Sequence, residues 1–125
     1  MGAALNLDTV ILFVNDVERL KSFYLTAFDM EVLEDGGSEW ALLKAEGAGI
    51  GLHRVGEAYR NKNAHPGSNS NVKLVFDVTD IHRLHDQLLS LGTVVHGIKT
   101  FAGRGYWLCD GEDPEGNRFQ LKQKK

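Results

Sequence analysis

Apolar positions switch between two periods along the chain, and each switch marks an element. Thr9 to Val14 reads TVILFV, apolar on both faces, which predicts a strand covered on both sides. Asn15-Asp16 stops it, and Asp16 is placed to cap a helix. Val17, Leu20, Tyr24, Ala27 and Phe28 then recur at helical spacing, and Phe28-Asp29 closes the helix. Met30 to Glu34 predicts a strand and Asp35-Gly36-Gly37 a hairpin turn. Glu39 to Lys44 predicts the next strand, Glu46-Gly47 a turn, and Gly49 to Val55 a further strand.

Gly56 to Asn71 reads GEAYRNKNAHPGSNSN, rich in turn formers and poor in apolar residues, so it is read as a linker. Asn71 to Val78 predicts a strand. Asp80 caps a helix with the apolar stripe Ile81, Leu84, Leu88 and Leu91, ended by Gly92. Thr93 to His96 predicts a strand, Phe101 to Gly105 a loop, Tyr106 to Cys109 a strand, and Arg118 to Lys122 the last strand. Between the last two, Asp113-Pro114-Glu115-Gly116-Asn117 is a tight turn.

The pattern repeats. Val14-Asn15-Asp16-Val17-Glu18-Arg19-Leu20 matches Val78-Thr79-Asp80-Ile81-His82-Arg83-Leu84 at a strand-to-helix junction. Each half reads β-α-β-β-β. The fold class is therefore α+β: two βαβββ modules that can place eight strands in one curved sheet with the helices outside. A single domain is expected, with module one at about 5–55, the linker at 56–71 and module two at 72–125.

Composition narrows the function classes. The chain is 42% hydrophobic and 25% charged, which excludes a disordered chain, a collagen-like fibre and a disulfide scaffold. A net charge of −3 offers no basic excess for a nucleic-acid backbone. No apolar run is long enough for a membrane span, and the N-terminus has neither the basic nor the apolar region of a signal peptide. The single cysteine, Cys109, has no internal disulfide partner, so a cytoplasmic location is expected.

Three segments carry a family resemblance: FVNDVERLKSFYLTAFDMEV, LVFDVTDIHRLHDQLLSLG and DPEGNRFQL. Paired modules with these segments resemble the vicinal oxygen chelate superfamily, which includes glyoxalase I, bleomycin and fosfomycin resistance proteins and extradiol dioxygenases. Phe28-Asp29 departs from the Leu-Gly usual there. In the metal-using members, four strand positions supply His, Glu or Gln to one divalent ion. Carried onto this chain, the resemblance puts those positions at Thr9, Gly51, Lys73 and Gln120. Gly51 has no side chain, Thr9 is a weak neutral ligand, and Lys73 brings a positive charge to a cation site. Only Gln120 could coordinate, with His53 as the residue that a shifted register would bring in. No metal or other cofactor is expected.

Strand alternation sorts the rest. Val10, Leu12 and Val14, then Leu74, Phe76 and Val78, then Phe119 and Leu121 should pack under the helices. The opposite parity holds Thr9, Ile11 and Phe13; Gly49, Gly51 and His53; Lys73, Val75 and Asp77; Arg118, Gln120 and Lys122. That mixed face suits a small-molecule pocket, with Thr9, Phe13, His53, Lys73, Asp77, Arg118 and Gln120 as candidate ligand-binding residues. Lys73 and Asp77 could equally flank a solvated sheet, and Arg118 and Lys122 could sit at exposed strand ends. Trp40 and Trp107, on corresponding third strands, are read as packing residues. His82 and His85, with Asp86 beside them, are read as a solvated helix face, and Cys109 as a buried inert thiol. His65 and His96 have no partner in sequence, and Gly103-Arg104-Gly105 is too short for a phosphate loop.

Three functions compete. The first is a metal-free binding protein resembling the bleomycin resistance proteins. The second is a glyoxalase-like lyase, thiol transferase or dioxygenase with a degenerate or shifted metal site. The third is metal-free acid–base catalysis, with His53 or Asp77 as base and Lys73 or Arg118 as electrostatic stabiliser. A homodimer is expected, because related two-module proteins pair and open sheet edges invite a partner.

Overall fold

Both helices begin in the same way. The Asp16 carboxylate accepts from the Arg19 N–H at 3.0 Å, and the Asp80 carboxylate from the Arg83 N–H at 3.1 Å. Each bond satisfies a backbone donor that the first helical turn leaves without a partner. A computed structural model describes residues 4–59 and 71–125 and carries these caps into two repeats of strand, helix and three strands. Module one comprises β1 (Thr9–Val14), α1 (Val17–Phe28), β2 (Glu31–Asp35), β3 (Trp40–Lys44) and β4 (Gly49–Arg54). Module two comprises β5 (Leu74–Asp77), α2 (Ile81–Ser90), β6 (Val94–Val95), β7 (Tyr106–Glu112) and β8 (Arg118–Lys124). Glu57–Tyr59 forms a single 3-10 turn at the start of the predicted linker, most of which lies outside the described residues.

The chain divides into two compact units, Met1–Lys62 and Asn63–Lys125. Each holds one four-stranded sheet, ordered β1-β4-β3-β2 in the first and β5-β8-β7-β6 in the second. In both, the first strand runs parallel to the last, and the remaining pairs are antiparallel. The register repeats as well. Ile11 lies opposite Gly51 and Val75 opposite Gln120; Phe13 lies opposite His53 and Asp77 opposite Lys122. Val14 and Val78 each precede the capping Asp by two residues, so the sequence repeat is a structural one.

The helices end differently. At the end of α1, Asp29 takes a left-handed conformation (φ 53°), and its N–H reaches the Leu25 carbonyl at 3.1 Å. Beyond α2 the left-handed position falls to Gly92 (φ 77°), which has no Cβ to strain. Leu91 lies at that turn rather than within the helix and stays exposed, so it drops out of the predicted stripe.

Each core lies between a helix and its sheet. Val14, Val17, Leu20, Tyr24, Leu43 and Leu52 are fully buried in module one, and Ile81, Leu88, Cys109, Phe119 and Leu121 in module two. The predicted parity holds, since Ile11, Phe13, Val75 and Arg118 on the other face are exposed.

Several strand bounds are corrected, and β8 runs past the expected Lys122 to Lys124. The strand expected over Asn71 to Val78 covers only Leu74–Asp77, leaving Lys73 just ahead of it. The strand expected over Thr93 to His96 shrinks to Val94–Val95. β7 continues past Cys109 to Glu112, because pairing with β8 persists until Asp113 closes the hairpin. There the Asp113 carboxylate accepts from the Glu115 and Asn117 backbone N–H groups, each at 2.9 Å, and from the Asn117 side-chain amide at 2.8 Å.

Candidate functional site

In module one the sheet face turned away from α1 carries a cluster of three rings, Phe13, His53 and Trp40. β1 presents Thr9, Ile11 and Phe13, β4 presents Gly49, Gly51 and His53, and β3 presents Trp40 and Leu42. Trp40 lies opposite His53, and Leu42 opposite Gly51. The Phe13 ring is 60% exposed and stands 5.3 Å from the His53 ring, which is 6.1 Å from Trp40. Trp40 Nε1 donates to Glu34 Oε1 at 2.9 Å, which fixes the indole's tilt. His53 Nδ1 lies 2.7 Å from the Arg54 carbonyl oxygen. A carbonyl only accepts, so Nδ1 carries the proton and Nε2 of the neutral ring is an acceptor. Thr9 Oγ1 donates to Asp8 at 2.6 Å.

The same face of module two is organised by charge. Asp110 on β7 lies opposite Gln120 on β8. Its Oδ1 accepts from Lys73 Nζ at 3.1 Å and from Gln120 Nε2 at 3.0 Å, and its Oδ2 accepts from Lys99 Nζ at 3.3 Å. Burial alone would push the Asp110 carboxyl up. The hydrogen bonds from Lys73 and Gln120, the Lys73 charge and the Lys99 hydrogen bond outweigh it, so the carboxyl titrates below its ordinary value. Lys122 Nζ stands 4.7 Å from the centre of the Tyr106 ring, within cation–π range.

Of the candidate residues, the fold brings Phe13 together with His53, and Lys73 together with Gln120 through Asp110. Asp77 and Arg118 sit at strand ends, opposite Lys122 and Glu112 respectively. The sequence reading missed Asp110 and Lys99. Ending β7 at Cys109 hid Asp110; carried to Glu112, the alternation Leu108, Asp110, Glu112 would have placed it beside Gln120. Lys99 gave no such signal, because it is in no named strand and reaches the sheet through a lone bridge to Leu108.

The tryptophans are on corresponding strands but opposite faces. Trp107 meets His82 of α2 at 6.2 Å between ring centres, with Lys125 Nζ 4.7 Å above the indole. His85 Nδ1 lies 3.5 Å from Asp86. Cys109 is fully buried with its Sγ 3.3 Å from the His96 carbonyl oxygen. Burial foremost, then the Asp110 charge, push its thiol up against the opposing pull of Lys99. His65 lies outside the described residues.

The four positions that the family resemblance assigns to a divalent ion do not fit one. A Cβ on Gly51 would fall 2.5 Å from Trp40 Cη2 and 3.1 Å from Ile11 Cγ1, so the indole fills the space of a ligand side chain. Lys73 is cationic and bonded to Asp110, and Gln120 turns its donor amide to the same carboxylate. Among the described residues, no group of three or more His, Cys, Asp or Glu could hold a metal ion. No helix among them is long and apolar enough to cross a membrane.

Residues 6–121 match the family model described as Glyoxalase/Bleomycin resistance protein/Dioxygenase superfamily. Among curated proteins, no sequence matches this chain. Solved structures do. TnmS3, an antibiotic binding protein from Streptomyces sp. CB03234, superposes with a TM-score of 0.80 at 21% identity, covering 100% of both chains. A glyoxalase/bleomycin resistance protein/dioxygenase family enzyme from Burkholderia phytofirmans PsJN gives 0.79 at 20% identity over 97% of this chain and 100% of its own. The fosfomycin resistance protein FosX from Listeria monocytogenes gives 0.73 at 14% identity over 100% of this chain and 96% of its own. At these identities the likeness is one of fold.

Proposed function

This chain belongs to the glyoxalase/bleomycin resistance protein/dioxygenase superfamily, and on that premise we propose that it binds a small molecule without a divalent metal ion. One observation carries the reading: Lys73 and Gln120 both bond to Asp110, at 3.1 and 3.0 Å. The Lys73 ammonium has no lone pair for a cation, and with Gln120 Nε2 turned to Asp110 only the Gln120 Oε1 is left as a ligand atom at the two module-two positions. The exposed Phe13 ring, with His53 and Trp40 beside it, offers an apolar surface for a ligand. That TnmS3 is an antibiotic binding protein is in keeping with this reading.

Two measurements test it. Elemental analysis after dialysis is expected to find no stoichiometric divalent ion. About one metal per chain, lost on substituting His53 or Gln120, would return the metal-enzyme reading to first place. Fluorescence of Trp40, read in a Trp107→Phe background, is expected to respond to members of a small-molecule library; no responder would argue against a binding surface there.

The binding form is proposed to be a homodimer. Each four-stranded sheet ends in edge strands, β1 and β2 in one module and β5 and β6 in the other, and Leu33 on β2 is 50% exposed. Sedimentation showing only monomer at micromolar protein would remove this part of the reading.

A further inference from the structure

Lys73 and Lys99 are 26 positions apart in sequence and reach Asp110 from opposite sides. Lys73 precedes β5 and extends across β8, whereas Lys99 bridges to Leu108 on the far side of β7. Each ammonium uses one N–H on the carboxylate and has two others. Both side chains are partly open to water, at 42% and 49% exposure. Elsewhere on this face β8 sets Arg118 opposite Glu112, Lys122 opposite Asp77 and Lys124 opposite Tyr106. Lys73 and Lys99 share a single carboxylate, so the cluster holds one positive charge in excess. Gln120 holds its amide in the same place, and its second N–H is a further donor.

An isolated surface lysine would wave in solvent and lose side-chain entropy on binding anything. Here Asp110 has already ordered two of them, which lowers the cost of engaging a ligand. Asp110 also keeps the two ammoniums together despite their mutual repulsion. We infer that Lys73, Lys99 and Gln120 form an oxyanion-binding site on module two, which takes a small molecule carrying a carboxylate or a phosphate-type group. This inference rests on the small-molecule-binding reading above and names the chemical class of its ligand.

The test uses the intact protein at constant ionic strength, following side-chain NMR signals of the lysines and Gln120. The probes are inorganic phosphate, benzoate and the neutral benzamide. Saturable shifts at Lys73, Lys99 and Gln120 with phosphate, benzoate or both, and none with benzamide, are expected; the more effective anion identifies the source of the oxyanion. Lys99→Gln and Lys73→Gln should each weaken the response about tenfold or more, since a charged hydrogen bond is lost, while Lys44→Gln in module one leaves it unchanged. Shifts that never saturate, or that match those at Lys44, would overturn the inference. If neutral molecules alter Trp40 fluorescence and phosphate and benzoate still fail to saturate, the binding reading stands and the oxyanion site falls. If neither is seen, both fall.

Discussion

Trp40 lies over Gly51 so closely that a single added methyl group on the glycine would meet the indole at 2.5 Å. The indole is not free to yield, because its Nε1 is bonded to Glu34. Gly51→Ala should therefore destabilise the protein by about 1–3 kcal/mol, as overpacking does. In a Trp40→Leu background the same substitution should cost far less. Chemical denaturation of the four variants checks the coupling; equal costs in both backgrounds would show that the indole is not the obstacle.

The ion cluster on module two predicts a pH dependence. The Asp110 carboxyl is held below its ordinary value, so its contribution to stability is present above pH 3.8, the ordinary value, and is lost as pH falls through the lower folded value. Asp110→Asn should cost on the order of 1 kcal/mol at neutral pH, given partly exposed partners. The gap between wild type and variant should close in acid. A gap unchanged from pH 7 down to pH 2 would contradict the assignment.

Asp113 is buried and accepts three hydrogen bonds within its own turn. Asp113→Ala leaves those donors without a partner and should destabilise by about 2–4 kcal/mol. Thermal unfolding measures it, and a loss below that of an ordinary surface substitution would show that the turn does not depend on the carboxylate.

Cys109 has no solvent exposure and a thiol pushed upward, chiefly by burial. Its reaction with a thiol-specific reagent at neutral pH should be at least about a hundredfold slower in the native protein than after denaturation. Comparable rates would mean that this part of module two opens readily.

How far the sequence reaches is visible in particular residues. The repeat around Asp16 and Asp80, the two strand parities and the tight turn at Asp113 all follow from local causes: a carboxylate beside free helix N–H groups, a two-residue side-chain period, and turn residues in order. These determined the βαβββ modules and the buried faces; the assignment of Thr9, Gly51 and Lys73 to ligand positions is what the family resemblance implies. Local causes could not place Lys99 beside Lys73, nor Trp40 over Gly51. The first pair meets only because β8 and β7 lie between β5 and the Lys99 bridge, an order that hydrogen bonding between distant strands creates. The second meets because antiparallel pairing of β3 with β4 sets Trp40 opposite His53, two residues from the glycine whose missing side chain leaves room for the indole. Sequence carries the identity of these groups and the face each occupies; the distance between them is a property of strand register, which only the folded sheet decides.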